Sequence, residues 1–389
     1  MAVVQATQNN KATIFRNQLI RELVRQNMFS PYMGEQAGAV IRTMSYTSKT
    51  GGDQINIPLA KALHSPGVST GLLSGQEEGI ENAGFRVWMD WSRNAVKIPK
   101  SELKKMSVDI FDYARPMLAD WGKVIQRDEI VQALGSIPTS ATPAGLGIGA
   151  GQRINGVPWT QATAVQQTAW AAQNQDRIMF GSRNSNFVAG SITTSLLNIS
   201  ATNDRASSAI LRVLKKKAET ATPQITPLSM DDGYDRYVCF VGPNAFRDLE
   251  ADPLIFAANK DARPREGLSM NKNPIFNDGD LLYHGIIIRK IPQIDKFLTM
   301  ANAGASGTPV APIFLCGQSA MAMPWGQIPR ATELEDKDYD FYDGKGIEMA
   351  YGIAKMAFQE TTSSLPAYVG SRLCDWGVAT AFVSSPDDA

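Results

Sequence analysis

The sequence predicts an α+β fold. Three observations carry the prediction. Two strand-like runs flank a connection too poor in apolar residues to make a core, within 53–92. A long helical pattern follows, over 101–134. Thereafter strands outnumber helices.

The first elements form an arm. Met1–Asn10 is a polar leader without the apolar core of a signal sequence, and it is expected to be held by neighbouring molecules. Residues 11–27 read as an amphipathic helix. Phe15, Leu19, Ile20, Leu23 and Val24 form one stripe, with Arg16, Arg21 and Arg25 elsewhere. That helix either packs on its own domain or lies along an adjacent subunit. Lys11, Arg16, Arg21, Arg25, Arg42 and Lys49 stand against Glu22 and Glu35 over residues 1–50, so the segment is net positive.

A hairpin comes next. Ile55, Ile57 and Leu59 alternate in the first run. In the second, Phe85, Val87, Met89 and Trp91 point one way and Arg86, Asp90 and Ser92 the other. The link 64–84 holds five glycines and cannot bury itself. A compact domain rarely carries about 20 structureless residues, so the hairpin is expected to leave its own domain and lie on another subunit.

Ser101–Leu134 then reads as one helix, with Phe111, Ala114, Leu118, Trp121 and Ile125 three and four residues apart. Ser101 is a candidate N-cap, Gly135 a stop, and Pro116 a kink or division point. About 30 helical residues span about 45 Å, which suits a spine across a flat subunit. Residues 137–175 carry Arg153 as their single charge and read as a surface excursion with Trp159 and Trp170 embedded. Asn203–Thr220 is a second helix, apolar at Ala206, Ile210, Val213 and Leu214 and basic at Arg212, Lys215, Lys216 and Lys217. Its basic end is either a solvated face suited to the helix dipole or a contact surface. Tyr237–Val241, Tyr283–Ile288, Pro312–Gly317 and Ala320–Pro324 read as strands. Gly346–Phe358 and Trp376–Val383 are expected to complete the sheet of a peripheral domain.

Composition narrows the function classes. The chain has 389 residues, 43% hydrophobic and 20% charged, the balance of a globular protein of one large or two ordinary domains. No run of 18 apolar residues occurs, so no membrane-spanning helix is expected. Cys239, Cys316 and Cys374 are odd in number and far apart, the pattern of reduced, buried thiols rather than a disulfide framework. Formal net charge is zero, whereas a free-standing nucleic-acid binder is usually basic.

Nothing in the sequence points positively to catalysis, a metal or a cofactor. Its two histidines are His64, in the hairpin link, and His284, at the opening of a strand. Gly145–Gly151 has the glycine spacing of a dinucleotide loop on paper, but prolines and threonines precede it, not an apolar strand, and it reads as a loop. Asp336, Asp338 and Asp340 match the first three ligand places of a calcium loop. Phe341 replaces the required glycine, however, and Ile347 stands where the bidentate Glu belongs. The acidic run Glu333, Glu335, Asp336, Asp338, Asp340 and Asp343 is therefore read as a solvated face or a docking surface for a basic arm. A soluble α/β enzyme remains a remote alternative.

The order of several short runs carries a family resemblance: Gln76–Glu78, Arg93–Val96, Phe111–Trp121, Gln175–Ile178, Tyr237–Pro243 followed by Phe246–Leu249, and the closing Asp375–Val378. From about Phe29 to the end, the chain resembles the major capsid proteins of tailed bacteriophages, in a long-chain, uncleaved branch of the HK97-like fold. An encapsulin-like compartment shell shares that fold and is the alternative. The resemblance implies an N-terminal arm (1–50), an extended β-hairpin loop (51–100), a peripheral domain with the spine helix (101–136 and 311–389) and an axial domain with a surface insertion (137–310). It implies hexamers and pentamers of the chain in an icosahedral shell around double-stranded DNA, assembled in the host bacterial cytoplasm with portal, scaffolding and decoration proteins as partners.

On that reading Leu72, Leu73, Gln76, Glu77, Glu78, Phe85 and Trp88 belong to the inter-subunit arm. Phe15, Arg16, Leu19, Arg21 and Arg25 make the N-arm contacts, the acidic run is their docking surface, and Arg212 with Lys215–Lys217 faces DNA. One relative of this fold forms a lysine-to-asparagine crosslink from its extended loop. Residues 64–84 contain no lysine, so that crosslink is expected to be absent.

Overall fold

A computed structural model describes residues 28–45, 54–60, 67–70, 72–77, 82–103, 105, 110–139, 153–229, 234–261, 280–334, 341–360 and 372–387. The N-arm positions Phe15, Arg16, Leu19, Arg21 and Arg25, together with Glu78, Glu335, Asp336, Asp338, Asp340 and the loop Gly145–Gly151, lie outside the described residues.

Two sheets organise the chain around one long helix. The first has strands in the order Met33–Gly34, Ile41–Ser45, Met321–Glu333, Tyr342–Tyr351 and Asp90–Pro99, with Ala354–Lys355 beside Met321–Glu333. The second runs Ile178–Phe180, Val378–Ser384, Val310–Cys316, Asp235–Val241, Ile286–Lys290 and Leu281–Tyr283, with Leu228–Ser229 beside Asp235–Val241. Gly346–Phe358 and Trp376–Val383 therefore do not complete one sheet, as the sequence reading expected. The strand at 342–351 lies in the first sheet and Val378–Ser384 in the second, where all seven residues are buried. Val310–Cys316 and Val378–Ser384 share a sheet with strands of the segment 137–310, so the sheets cut across the expected boundary at 310/311.

The long helix Ile110–Leu134 joins the sheets. Its last turns place Ile130, Val131 and Leu134, all 0% exposed, among Met321, Met323, Met349 and Tyr351 of the first sheet and Phe240, Phe314 and Val378 of the second. Each apolar side chain of this size contributes about 1.5–3 kcal/mol on full burial. The opposite face of the second sheet is covered by the helix Ser208–Thr220 through Ile210, Leu211, Leu214 and Ala218.

Several local expectations are corrected. The helix over 101–134 is two elements, Lys100–Leu103 and Ile110–Leu134, and the second continues past Pro116. It ends at Leu134, as the stop expected at Gly135 requires, and a Cβ at Gly135 would stand 2.5 Å from Leu298. The helix expected from Asn203 begins at Ser208, because Asp204 is buried and accepts from the amides of Ser182 and Ser200, both at 2.7 Å. Asp252 caps the helix from another element, accepting from Ser208 N at 2.8 Å. Tyr283–Ile288 is a hairpin. His284 and Gly285, at φ 51° and 76°, form the two-residue turn that pairs Tyr283 with Ile286. Finally, Trp159 and Trp170 lie in a core cluster with Phe180, Val310 and Phe382, so residues 153–175 are not a surface excursion.

Candidate assembly surfaces

The hairpin is built as its alternation requires. Gln54–Ala60 and Asn82–Trp88 pair antiparallel, with Ile55 opposite Val87 and Ile57 opposite Phe85. Their apolar face does not await another subunit, as the sequence reading held. Ile55, Ile57, Phe85 and Val87 pack on Ala322, Ala354, Met356, Ala357 and Phe358 of the same chain, and Phe85 meets Phe358 edge-on at 6.3 Å. Phe85 is 3% exposed and is an anchor of the hairpin base.

The tip differs. Leu72 is 83% exposed and Leu73 62%, a costly arrangement for two adjacent leucines in an isolated chain. Gln76 and Glu77 are exposed beside them. A local turn shapes the tip: Gln76 N donates to Leu73 O at 3.0 Å and Gly75 N to Glu77 Oε2 at 2.7 Å.

The joint between hairpin and body is Trp88. The alternation expected to run from Phe85 to Trp91 breaks at Met89, between the strands, and inverts. Trp91 is 50% exposed and Ser92 is buried. At the break, Trp88 N donates to Asn155 Oδ1 at 2.7 Å, and Asn155 Nδ2 donates to Trp88 O at 2.8 Å. Asn155 is 4% exposed, and its own backbone N donates to Ile353 O at 2.7 Å. Gly352 completes the joint, since a Cβ there would stand 2.0 Å from Trp88 O.

The charged candidates divide. Glu333 forms an ion pair with Lys345 across neighbouring strands at 2.5 Å, and this hydrogen bond lowers the pKa of its carboxyl. Asp343 is half-buried in the edge-paired strand. On the helix Ser208–Thr220, Lys215 Nζ donates to His284 O at 2.8 Å and Lys217 Nζ to Gln175 O at 3.1 Å, while Arg212 and Lys216 are exposed. Burial lowers the pKa of Lys217.

A buried ionic network was not foreseen from the sequence. Arg177, 0% exposed at its side chain, pairs with Asp176 at 3.2 Å, and Arg372 pairs with the same carboxylate at 2.8 Å. Arg177 also donates to the Asp375 carbonyl. The Asp375 carboxylate meets Lys355 Nζ at 2.8 Å with both side chains at most 2% exposed, and Trp170 lies under that ammonium at 4.7 Å. Burial alone would raise the Asp176 pKa, but the charges and hydrogen bonds of Arg177 and Arg372 outweigh it and hold it at about 2. The network ties residues 170–177, which lead into the second-sheet strand Ile178–Phe180, to residues 355–375 near the end of the chain. The three cysteines are buried free thiols, and burial raises the pKa of Cys239 and Cys316. Among the described residues no group of three or more His, Cys, Asp or Glu can hold a metal ion.

Comparison with known proteins agrees with this architecture. A family model described as phage capsid protein matches residues 4–372. No curated protein matches. The capsid of Cyanophage Pam1 is 27% identical over all of both chains, with a TM-score of 0.79. The capsid of Ralstonia phage GP4 has the same fold, at 19% identity over all of both chains and a TM-score of 0.67. So does the acid-stable capsid of the Helicobacter pylori bacteriophage KHP30, at 13% identity, 94% of each chain and 0.63.

Proposed function

The chain belongs to the phage capsid protein family and is a structural shell protein of a virion, with an HK97-like α+β fold; from that premise we propose how its copies hold one another. The hairpin tip around Leu72, Leu73 and Glu77 reaches a neighbouring copy, while the hairpin base stays in its own subunit. The observation that carries this reading is the contrast within one hairpin. Ile57 and Phe85 at the base are 4% and 3% exposed, and the two leucines at the tip are 83% and 62% exposed.

The same reading extends to the remaining parts. Residues 1–27 act as an arm and the hairpin over 54–88 as the extended loop, whereas Met33–Gly34, Ile41–Ser45 and Asp90–Pro99, expected in arm and loop, are strands of the first sheet. The two sheets act as peripheral and axial bodies, joined in hexamers and pentamers of an icosahedral shell. Double-stranded DNA lies inside, met without sequence preference by Arg212 and Lys216, the exposed cations of the basic helix. Portal, scaffolding and decoration proteins are the other partners, and assembly takes place in the host cytoplasm. Electron microscopy of the purified protein and of a variant lacking residues 66–82 tests the central claim. The full chain is expected to form closed particles and the variant only folded subunits or open pieces. Closed particles of normal size from the variant would remove the tip from assembly.

A further inference from the structure

Strand Asp90–Pro99 is the outer strand of the first sheet. Its ten residues pair with Tyr342–Tyr351 on one side, and among the described residues no strand pairs with its other side. A free edge of this length is a template on which another chain can add a strand. The backbone groups on that edge can be assigned from the ladder. Gly344 O accepts from Leu334 N, so Gly344 turns its backbone toward Met321–Glu333. Lys100 N donates to Phe341 O, which continues the other phase. Antiparallel ladders alternate, so Trp91, Arg93, Ala95, Lys97 and Pro99 point their backbone groups outward.

Three of these five positions offer no free donor. Trp91 N donates to Asp90 Oδ1 at 2.7 Å, and Ala95 N to Asn94 Oδ1 at 2.9 Å. Pro99 has no N–H. Trp91 O is also taken, by the Arg153 guanidinium at 3.2 Å. An incoming strand would find donors only at Arg93 and Lys97, every second place that a ladder requires. We propose that Asp90, Asn94 and Pro99 close this edge to strand addition, so that copies of the chain do not join sheet to sheet through it. The device matters for a protein that must concentrate many copies of one surface without edge-to-edge association.

Residue-resolved hydrogen exchange on unmodified protein tests it directly. In free subunits Trp91 and Ala95 should exchange roughly threefold to tenfold more slowly than Arg93 and Lys97, the effect of one modest hydrogen bond each. In assembled particles Arg93 and Lys97 should stay faster than the inward amides of Asn94 and Val96. Protection of Arg93 and Lys97 to the level of those ladder amides in particles means that a strand has been added there, and it overturns the proposal. A second arm uses Asp90→Ala with Asn94→Ala. Under shell-forming conditions this variant should send several-fold more chain into irregular, non-particle sediment. The exchange variant Asp90→Asn with Asn94→Asp keeps both acceptor oxygens and should behave as the parent. Equal sediment from all three proteins also overturns it.

Discussion

Asn155 binds the backbone of Trp88 in both directions, accepting from its N–H at 2.7 Å and donating to its carbonyl at 2.8 Å. The side-chain amide replaces a neighbouring strand where the hairpin leaves the first sheet. It satisfies both peptide groups at a position where the strand pairing breaks.

Replacing Asn155 with Ala should therefore destabilise the free subunit by about 1–3 kcal/mol, the cost of leaving buried peptide groups unpaired. Asn155→Asp keeps the acceptor, loses the donor and faces a carbonyl, so a similar loss is expected at neutral pH. Urea unfolding of the free subunit measures both. A parent-like midpoint for Asn155→Ala would show that other groups hold Trp88.

Leu72→Ser with Leu73→Ser should separate folding from assembly. Both side chains are largely exposed, so the subunit's unfolding free energy should change by no more than about 0.5 kcal/mol. Particle yield should nevertheless fall, because the pair loses the apolar surface that it offers to a neighbour. Unchanged yield on a sizing column would sink the assignment of the tip.

Boiled, reduced particles should run as one band near the chain mass of 42.3 kDa. The link 64–84 supplies no lysine for an amide crosslink, and the nearest lysines are Lys61 and Lys97. A ladder of covalent multimers would contradict this.

The hairpin could be read from the sequence because alternation is local: Ile55, Ile57, Phe85 and Val87 announce a strand pair with one buried face. What that face packs on could not be read, because Ala354, Met356 and Phe358 lie some 270 residues from Phe85 in sequence and meet it only through the fold. The Trp88–Asn155 joint and the Asp176–Arg177–Arg372 cluster escaped for the same reason. One missed signal was local. Thr163 and Gln166 form a capping box for the helix Ala164–Gln173, and the Thr-x-x-Gln spacing was present in the chain. The helix Ser208–Thr220 starts at Ser208 and not at Asn203 because Asp204 satisfies the backbone amides of Ser182 and Ser200.

Reversing Arg16, Arg21 and Arg25 to Glu should slow shell assembly, most clearly at low salt, if the N-arm docks on the acidic run of a neighbour. Exposed pairs contribute about 0–1 kcal/mol each and are screened over about 8–10 Å. Glu333 already has a partner in Lys345, so the docking falls to the remaining acidic positions. Empty-shell assembly kinetics at low and high salt decide the matter. Unchanged low-salt kinetics with impaired genome packing would place the arm on DNA instead.

The Asp176 network should set part of the acid limit of the subunit. Its folded pKa, about 2, lies below the value near 3.9 of a free aspartate. A depressed carboxylate contributes stability above its unfolded pKa and loses it as pH falls through the folded one. The contribution is therefore complete above about pH 5, declines between about pH 4 and 2, and amounts to roughly 2 kcal/mol before discounting for the partial exposure of the group. Asp176→Asn removes that charge and leaves Arg177, fully buried, and Arg372 without their shared partner. The variant should be clearly less stable than the parent at pH 7 and should lose less stability on acidification. The gap between the two proteins should therefore narrow as pH falls toward 2 and close only below it, where Asp176 is protonated in the folded as well as the unfolded chain. Urea unfolding of free subunits at pH 7, 4 and 2.5 follows this directly. Parallel curves, with a constant gap at all three values, would mean that Asp176 acts by shape and hydrogen bonding and that its charge is not what holds the two arginines.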